Sequence, residues 1–226
     1  MNTILNNMRH SVYSVNTNIK ARGSSQGSEA GAVSFLYDPE ANRKYLTVSE
    51  RNAFLEAAAR RPADVRTFCR TLAYSGARIS EVLALTPHQI DSRAGVIIVE
   101  SLKKRRRGIY RALPVPADLL DELERVHEIR RCQADPERST ERIWKWCRTT
   151  AWHHVKDSME EAAISGRQAM PKGLRHGFGV GVLQAGVPIN LLKKWLGHSR
   201  LTTTEIYADA VGAEEQAIAT RFWQTF

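Results

Sequence analysis

Three short stretches of this sequence gather side chains that can grip an oxyanion: Gly76-Ala77-Arg78-Ile79-Ser80-Glu81, Lys172-Gly173-Leu174-Arg175-His176 and Leu196-Gly197-His198-Ser199. A tyrosine, Tyr207, follows the last of them. Planar guanidinium forks match the oxygens of carboxylates and phosphates. A phenol, with a reference pKa of about 10, becomes a nucleophile near neutrality only when cations stabilise its phenolate or a base takes its proton. Each residue also has a plainer reading on its own. A lone arginine is usually a surface ion pair worth under about 1 kcal/mol, and Tyr207 beside Ile206 suits a core aromatic.

Taken together, the stretches resemble the tyrosine recombinase (phage integrase) family. Its signature is an Arg in an Arg-x-Ser-Glu-like box, a His or Lys three residues before a second Arg, a Leu-Gly-His box, and a Tyr. Here these are Arg78, Lys172, Arg175, His198 and Tyr207. Positions 175, 198 and 207 give separations of 23 and nine, as is typical of that family. Four boxes in one order at such spacings are far more specific than any single short motif. The resemblance runs from about residue 45 to the C-terminus, and it implies the family's catalytic-domain fold, mainly α with a small antiparallel β-hairpin (α+β).

What the resemblance implies chemically is a site-specific recombinase that cleaves and rejoins double-stranded DNA through a 3′-phosphotyrosyl intermediate, for integration, excision or inversion. Tyr207 would be the nucleophile, with Arg78 and Arg175 clamping the non-bridging oxygens where negative charge builds in the transition state. Lys172 and His198 would influence the phenol. A hairpin lysine would protonate the departing 5′ hydroxyl: Lys103, with Lys104 as the alternative. The phosphotyrosyl bond conserves the energy of the broken linkage, so the resemblance implies neither cofactor nor metal. Lys172 stands where His is commoner, and lysine is a near-neutral base only if its pKa is lowered.

Other residues gather round this set. Glu81 is expected to orient Arg78 by an ion pair, and His176 to be a packing or hydrogen-bonded histidine that sits at a family-like position. His153 and His154 read as exposed helix residues. The run Lys103, Lys104, Arg105, Arg106, Arg107 reads as a solvated loop able to touch phosphates without reading sequence. Residues 213–226, with Ala217, Ile218, Phe222 and Trp223 on one patch, resemble the family's C-terminal docking helix; packing on a neighbour or on its own domain both fit. Docking in trans would make a DNA-bound homo-tetramer from a chain that can be monomeric in solution. Residues 1–44 read as a polar tail, too short for the family's usual N-terminal domain, which implies weak or accessory-protein-assisted DNA binding. Two other readings use the same residues: a catalytically silent DNA-binding regulator or architectural protein, and a type IB-like topoisomerase.

The elements that must carry these residues can be followed by their caps and periods. Thr47 and Glu50 form a capping box before Phe54, Leu55 and Ala58. A second helix from about Ala63 ends at Gly76, and Ile79 to Leu85 is a third, stopped by Thr86-Pro87. Val96 to Val99 and Ile109-Tyr110-Arg111-Ala112-Leu113 read as strands of a hairpin. Helices are expected over 117–130, about 149–163, 174–184, 190–196 with Gly197 closing it, and 202–210. The whole chain of 226 residues allows one good-sized domain. Its 42% apolar and 25% charged residues are those of a globular protein. No membrane-length apolar run or secretory signal is visible, so a cytoplasmic location is expected. Cys69, Cys132 and Cys147 lack ligand spacing, so neither disulfide nor zinc is expected. The net charge of +9 suits a polyanionic partner.

Overall fold

The computed structural model describes residues 36–101, 108–208 and Trp223, and these are mainly helical with one small antiparallel sheet. Helix α1 (Val48–Ala59) starts as its capping box dictates: Thr47 Oγ1 accepts from the Glu50 amide, and the Glu50 carboxylate accepts from the Thr47 amide at 2.8 Å. Helix α2 (Ala63–Ser75) stops at Gly76, whose φ of 59° closes the last turn. Helix α3 (Ile79–Leu83) follows at once.

Three strands come next, β1 (Ile90–Asp91), β2 (Val96–Glu100) and β3 (Tyr110–Pro114), hydrogen-bonded in the order β1-β2-β3. The register pairs Ile97 with Leu113 and Val99 with Arg111. Strand β1 was not foreseen, because two residues are too few to show a period of two.

Helix α4 (Ala117–His127) breaks at Glu128, φ 50°, before α5 (Ile129–Gln133). The apolar pattern over 117–130 runs through that break because Ile129 remains buried in the core. Helices α6 (Arg148–Glu161), α7 (Pro171–Gln184), α8 (Ile189–Leu196) and α9 (Thr202–Glu205) complete the described part. Helix α7 begins earlier than the expected 174, with Pro171 in its first turn, where a missing amide costs no hydrogen bond. That places Lys172 and Arg175 on one helix.

Two apolar clusters hold the elements. The larger joins Phe54, Phe68, Leu72, Leu123 and Trp144 with the inward residues of the sheet. Burying each such side chain is worth about 1.5–3 kcal/mol. The smaller consists of Leu36, Phe178, Val180, Leu192, Leu196, Ile206 and Tyr207. Leu36 is only 3% exposed, and Arg43 is ion-paired to Glu50. Packing therefore starts before residue 45, because an apolar residue embedded in a polar stretch still finds the core. Among the described residues no helix is long and apolar enough to cross a membrane.

Candidate active site

Every residue from Gly173 to Val180 on α7 is buried, so the helix runs through the molecule and carries Arg175 inside with it. A buried guanidinium must be fully hydrogen-bonded. Arg175 Nη1 donates to the Gly76 carbonyl at 2.7 Å, Nη2 donates to the Leu196 carbonyl at 2.7 Å, and Nη2 also meets His198 Nε2 at 3.3 Å. One side chain thus ties the end of α2 to the end of α8. Those two ends are the boundaries that launch Arg78 and His198.

Arg78 leads into α3. Its amide donates to Glu81 Oε2 at 2.8 Å and its Nη1 to Glu81 Oε1 at 2.8 Å. The expected ion pair exists, but it is not the whole network. Arg111 on β3 grips the same carboxylate, with Nη2 at 2.6 Å from Oε2 and Nη1 at 3.3 Å from Oε1. It also donates to Ser101 Oγ at 2.9 Å and, through Nε, to the Trp195 carbonyl at 2.7 Å. Sequence reasoning placed Arg111 only in a strand. The signal was available: with Leu113 inward, the period of two puts residue 111 on the core face, where a charge needs a partner.

A guanidinium can only donate, so His198 Nε2 must present its lone pair to Arg175, and the ring proton lies on Nδ1, donated to Thr204 Oγ1 at 3.0 Å. Burial, with the charges of Arg175, Arg78 and Arg111 behind it, pushes the His198 pKa down to about 4 and keeps the ring neutral. Its ring stacks on Tyr207, with centroids 6.4 Å apart and planes at 10°. Tyr207 is 1% exposed, and its hydroxyl meets His176 Nδ1 at 3.1 Å. Gly179 makes room for the phenol ring: a Cβ there would stand 2.8 Å from it. Burial raises the Tyr207 pKa, and Arg175 and Arg78 pull it back only in part.

His176 is likewise pushed down to about 4, by burial first and then by Lys172 and Arg175, and its buried Nε2 has no hydrogen-bond partner. Arg175 itself is lowered to about 10, by burial and then by the like charge of Arg78. For Glu81, burial pushes the carboxyl up, but Arg111 and Arg78 outweigh it and hold it below its ordinary range. The result is a wall of three arginines against one carboxylate, with two neutral imidazoles and a phenol. Such a wall can hold an anion and stabilise charge developing on it. Among the described residues no group of His, Cys, Asp or Glu could hold a metal ion.

The phage integrase family model matches residues 44–213, well over half of the chain. The chain belongs to the phage integrase family. Tyrosine recombinase XerD of Pseudomonas aeruginosa is 30% identical to it over 162 residues, covering 69% of this chain and 53% of the relative. Tyrosine recombinase XerA of Thermococcus onnurineus is 31% identical over 172 residues, covering 75% and 59%. The chain therefore spans little more than half the length of these curated relatives. Among solved structures, XerA recombinase superposes with a TM-score of 0.63 at 22% identity, over 76% of this chain and 64% of that one. XerH site-specific recombinase bound to its difH substrate gives 0.62 at 20% identity, over 76% and 55%. At these identities the likeness speaks for the fold.

Within this phage integrase fold, Arg78, Glu81, Arg175, His176, His198 and Tyr207 come together. Lys172 is exposed in the first turn of α7 and reaches the cluster through its charge on His176. His176, expected to be a packing or hydrogen-bonded histidine, is hydrogen-bonded, and its partner is the Tyr207 hydroxyl. His153 is exposed as expected, but His154 is not: it packs on Trp146, with ring centroids 4.6 Å apart. The basic run from Lys103 to Arg107 lies outside the described residues, as does the expected docking helix apart from Trp223, which is 62% exposed.

Proposed function

We propose that this phage integrase family member is a tyrosine-type site-specific DNA recombinase, with Tyr207 as nucleophile and Arg78 and Arg175 as the phosphate clamp. The observation that carries the reading is the convergence of residues from three distant stretches, 78–81, 175–176 and 198–207, on one cationic wall beside a phenol. Once a phosphodiester lies against the arginines, Tyr207 Oη attacks phosphorus, the bond to the 5′ oxygen breaks, and the phenol's proton passes to a neighbouring imidazole, His176 Nδ1 lying 3.1 Å from the hydroxyl. The 5′ oxygen takes a proton from Lys103, with Lys104 as the alternative, the role that family resemblance gives the hairpin lysine. Attack by another 5′ hydroxyl reverses these steps and reseals the strand. Exchange between two duplexes needs four cuts, so the working assembly is a tetramer on DNA, and an accessory DNA-binding protein can assist a weak binder.

A library of nicked duplexes with a randomised block tests this directly, because a nick beside the cut lets the short product diffuse away and traps the covalent adduct. Wild-type protein should become linked to DNA through Tyr207, and Tyr207→Phe should yield none. Failure of the wild type to form any adduct, under conditions where it binds the duplexes, ends the enzyme reading.

One observation favours a second reading, a DNA-binding protein of the same fold that does not exchange strands: Tyr207 is almost wholly buried, with its pKa raised. Band shifts without adducts, identical for wild type and Tyr207→Phe, would support it.

A further inference from the structure

We infer that Arg111 is a positioning residue of the phosphate clamp: it answers the charge of Glu81, so that Arg78 faces the substrate with its own charge uncompensated, and it braces the turn that presents His198. This rests on the recombinase reading.

The two arginines on Glu81 are not equivalent. The Arg78 side chain is 25% exposed, that of Arg111 only 6%, and that of Glu81 not at all. Arg78 engages the carboxylate through Nη1 and its backbone amide, whereas Arg111 turns both terminal nitrogens toward it. Were Arg111 absent, Glu81 would have Arg78 as its remaining guanidinium partner, and a closed pair cancels the field that a phosphate should meet. With Arg111 present the carboxylate is neutralised from the buried side, and Arg78 remains the guanidinium open to a ligand. Its charge and that of Arg111 both act on Arg175 and His198.

The second half of the role is geometric. Arg111 Nε holds the Trp195 carbonyl in the last turn of α8. Gly197, at φ 67°, passes so close that a Cβ there would lie 3.2 Å from Arg111 Cζ, Nε and Nη1. The turn that carries His198 is shaped against this guanidinium. Nη1 also reaches Ser101, the residue that follows β2. A single ammonium cannot make these bonds together, because they use the fixed fork of five N–H donors.

The test uses a nicked duplex recovered from wild-type adducts in the randomised library, and measures single-turnover adduct formation at saturating protein, DNA affinity and folded fraction. Arg111→Met should form adducts about 10- to 100-fold more slowly than wild type, as loss of an orienting partner typically does, with DNA affinity nearly unchanged. Glu81→Gln/Arg111→Met should be faster than Arg111→Met, because no carboxylate then remains to cancel Arg78. A merely structural brace predicts the opposite order. Arg111→Lys should fall between wild type and Arg111→Met, and it decides the matter if Arg111→Met does not fold: a wild-type rate for Arg111→Lys overturns the proposal. So does a loss in Arg111→Met fully explained by weaker binding or a smaller folded fraction, or a double variant no faster than the single. If the wild type itself gives no adduct, the recombinase reading falls; if it does and the variants match it, only the role of Arg111 falls.

Discussion

Among the described residues, two buried carboxylates are each gripped by two arginines. Glu122 on α4, its side chain 4% exposed, binds Arg66 at 2.5 Å and Arg70. Arg70 also pairs with Asp118 at 2.5 Å, so two guanidinium groups meet two carboxylates. The further cation, Arg125, is 73% exposed and 4.0 Å away, where water and salt screen it. Glu81 binds Arg78 and Arg111 in the same manner, but the third arginine beside it, Arg175, is buried and bonded to two carbonyls and an imidazole. In both places the arginines outweigh burial and hold the carboxyl pKa down. The difference is that the network around Glu122 closes on itself, and the one around Glu81 leaves positive charge for something else to meet. Perturbed carboxylates alone do not separate a structural network from a functional one; the local charge balance does.

The largest expected effect breaks both networks at once. Glu81→Ala strands Arg78 and Arg111, whereas Glu122→Ala strands Arg66 and leaves Arg70 its exposed partner Asp118; removing one partner of a buried pair costs about 3–5 kcal/mol. The Glu122 variant falls toward the lower end, because Arg66 and Arg70 keep 26% and 18% exposure and can be rehydrated. Urea unfolding measures both losses. Only Glu81→Ala should also slow adduct formation per folded molecule, and equal slowing in both variants would erase the distinction.

Next in size is Arg175→Ala, set against Arg70→Ala. Removing a transition-state charge partner typically costs about 10²- to 10³-fold in rate, with DNA affinity nearly intact because the clamp acts on charge that develops late. Arg70→Ala should lower stability and leave the rate of the folded fraction alone. If Arg175→Ala loses affinity and rate in equal measure, Arg175 is an ordinary phosphate anchor.

The sequence carried the caps, the hairpin and the family boxes, because these are local signals: Thr47 with Glu50, the left-handed Gly76 and Gly197, and two β-branched runs. It did not carry the charge balance. Arg111 joins Glu81 from another element, 30 positions away, and no window of neighbouring residues contains both. The same holds for the partner of His176, since Tyr207, which meets its Nδ1, lies 31 positions downstream. Strand β1 and the break at Glu128 escaped for a different reason, since two residues are too few for a period and Ile129 stays in phase with the core. Parity along β3 was the one overlooked clue, and it was physical: an inward arginine next to an inward leucine demands a buried anion.

A smaller effect is the response to acid. His198 faces Arg175, Arg78, His176 and Arg111, and its folded pKa of about 4 lies below its ordinary 6.5. Between those values the unfolded chain takes up a proton that the folded chain refuses. The contribution of neutral His198 is therefore complete above pH 6.5 and is lost as pH falls toward 4. One such proton limits the slope to about 1.4 kcal/mol per pH unit. Urea midpoints at pH 7 and pH 5 should differ more for wild type than for His198→Gln. An equal drop in both would mean that the arginine wall does not hold this ring neutral, and would weaken the case for uncompensated charge there.

The smallest effect probes the unmet charge itself. A few millimolar sulfate is too dilute for its general salting effect, yet an anion that binds only the folded state stabilises by RT ln(1 + [L]/Kd). With sulfate at ten times its Kd the gain is about 1.4 kcal/mol, and a weaker fit gives less. At matched ionic strength in chloride, sulfate should raise the midpoint of wild type and of Arg70→Ala, and should have little effect on Arg175→Ala. The bound anion should also lift the pKa of His198, so part of the acid loss ought to disappear in sulfate. An equal gain in all three proteins would mean that sulfate acts on the surface as a whole. The wall beside Tyr207 would then be as self-contained as the network around Glu122.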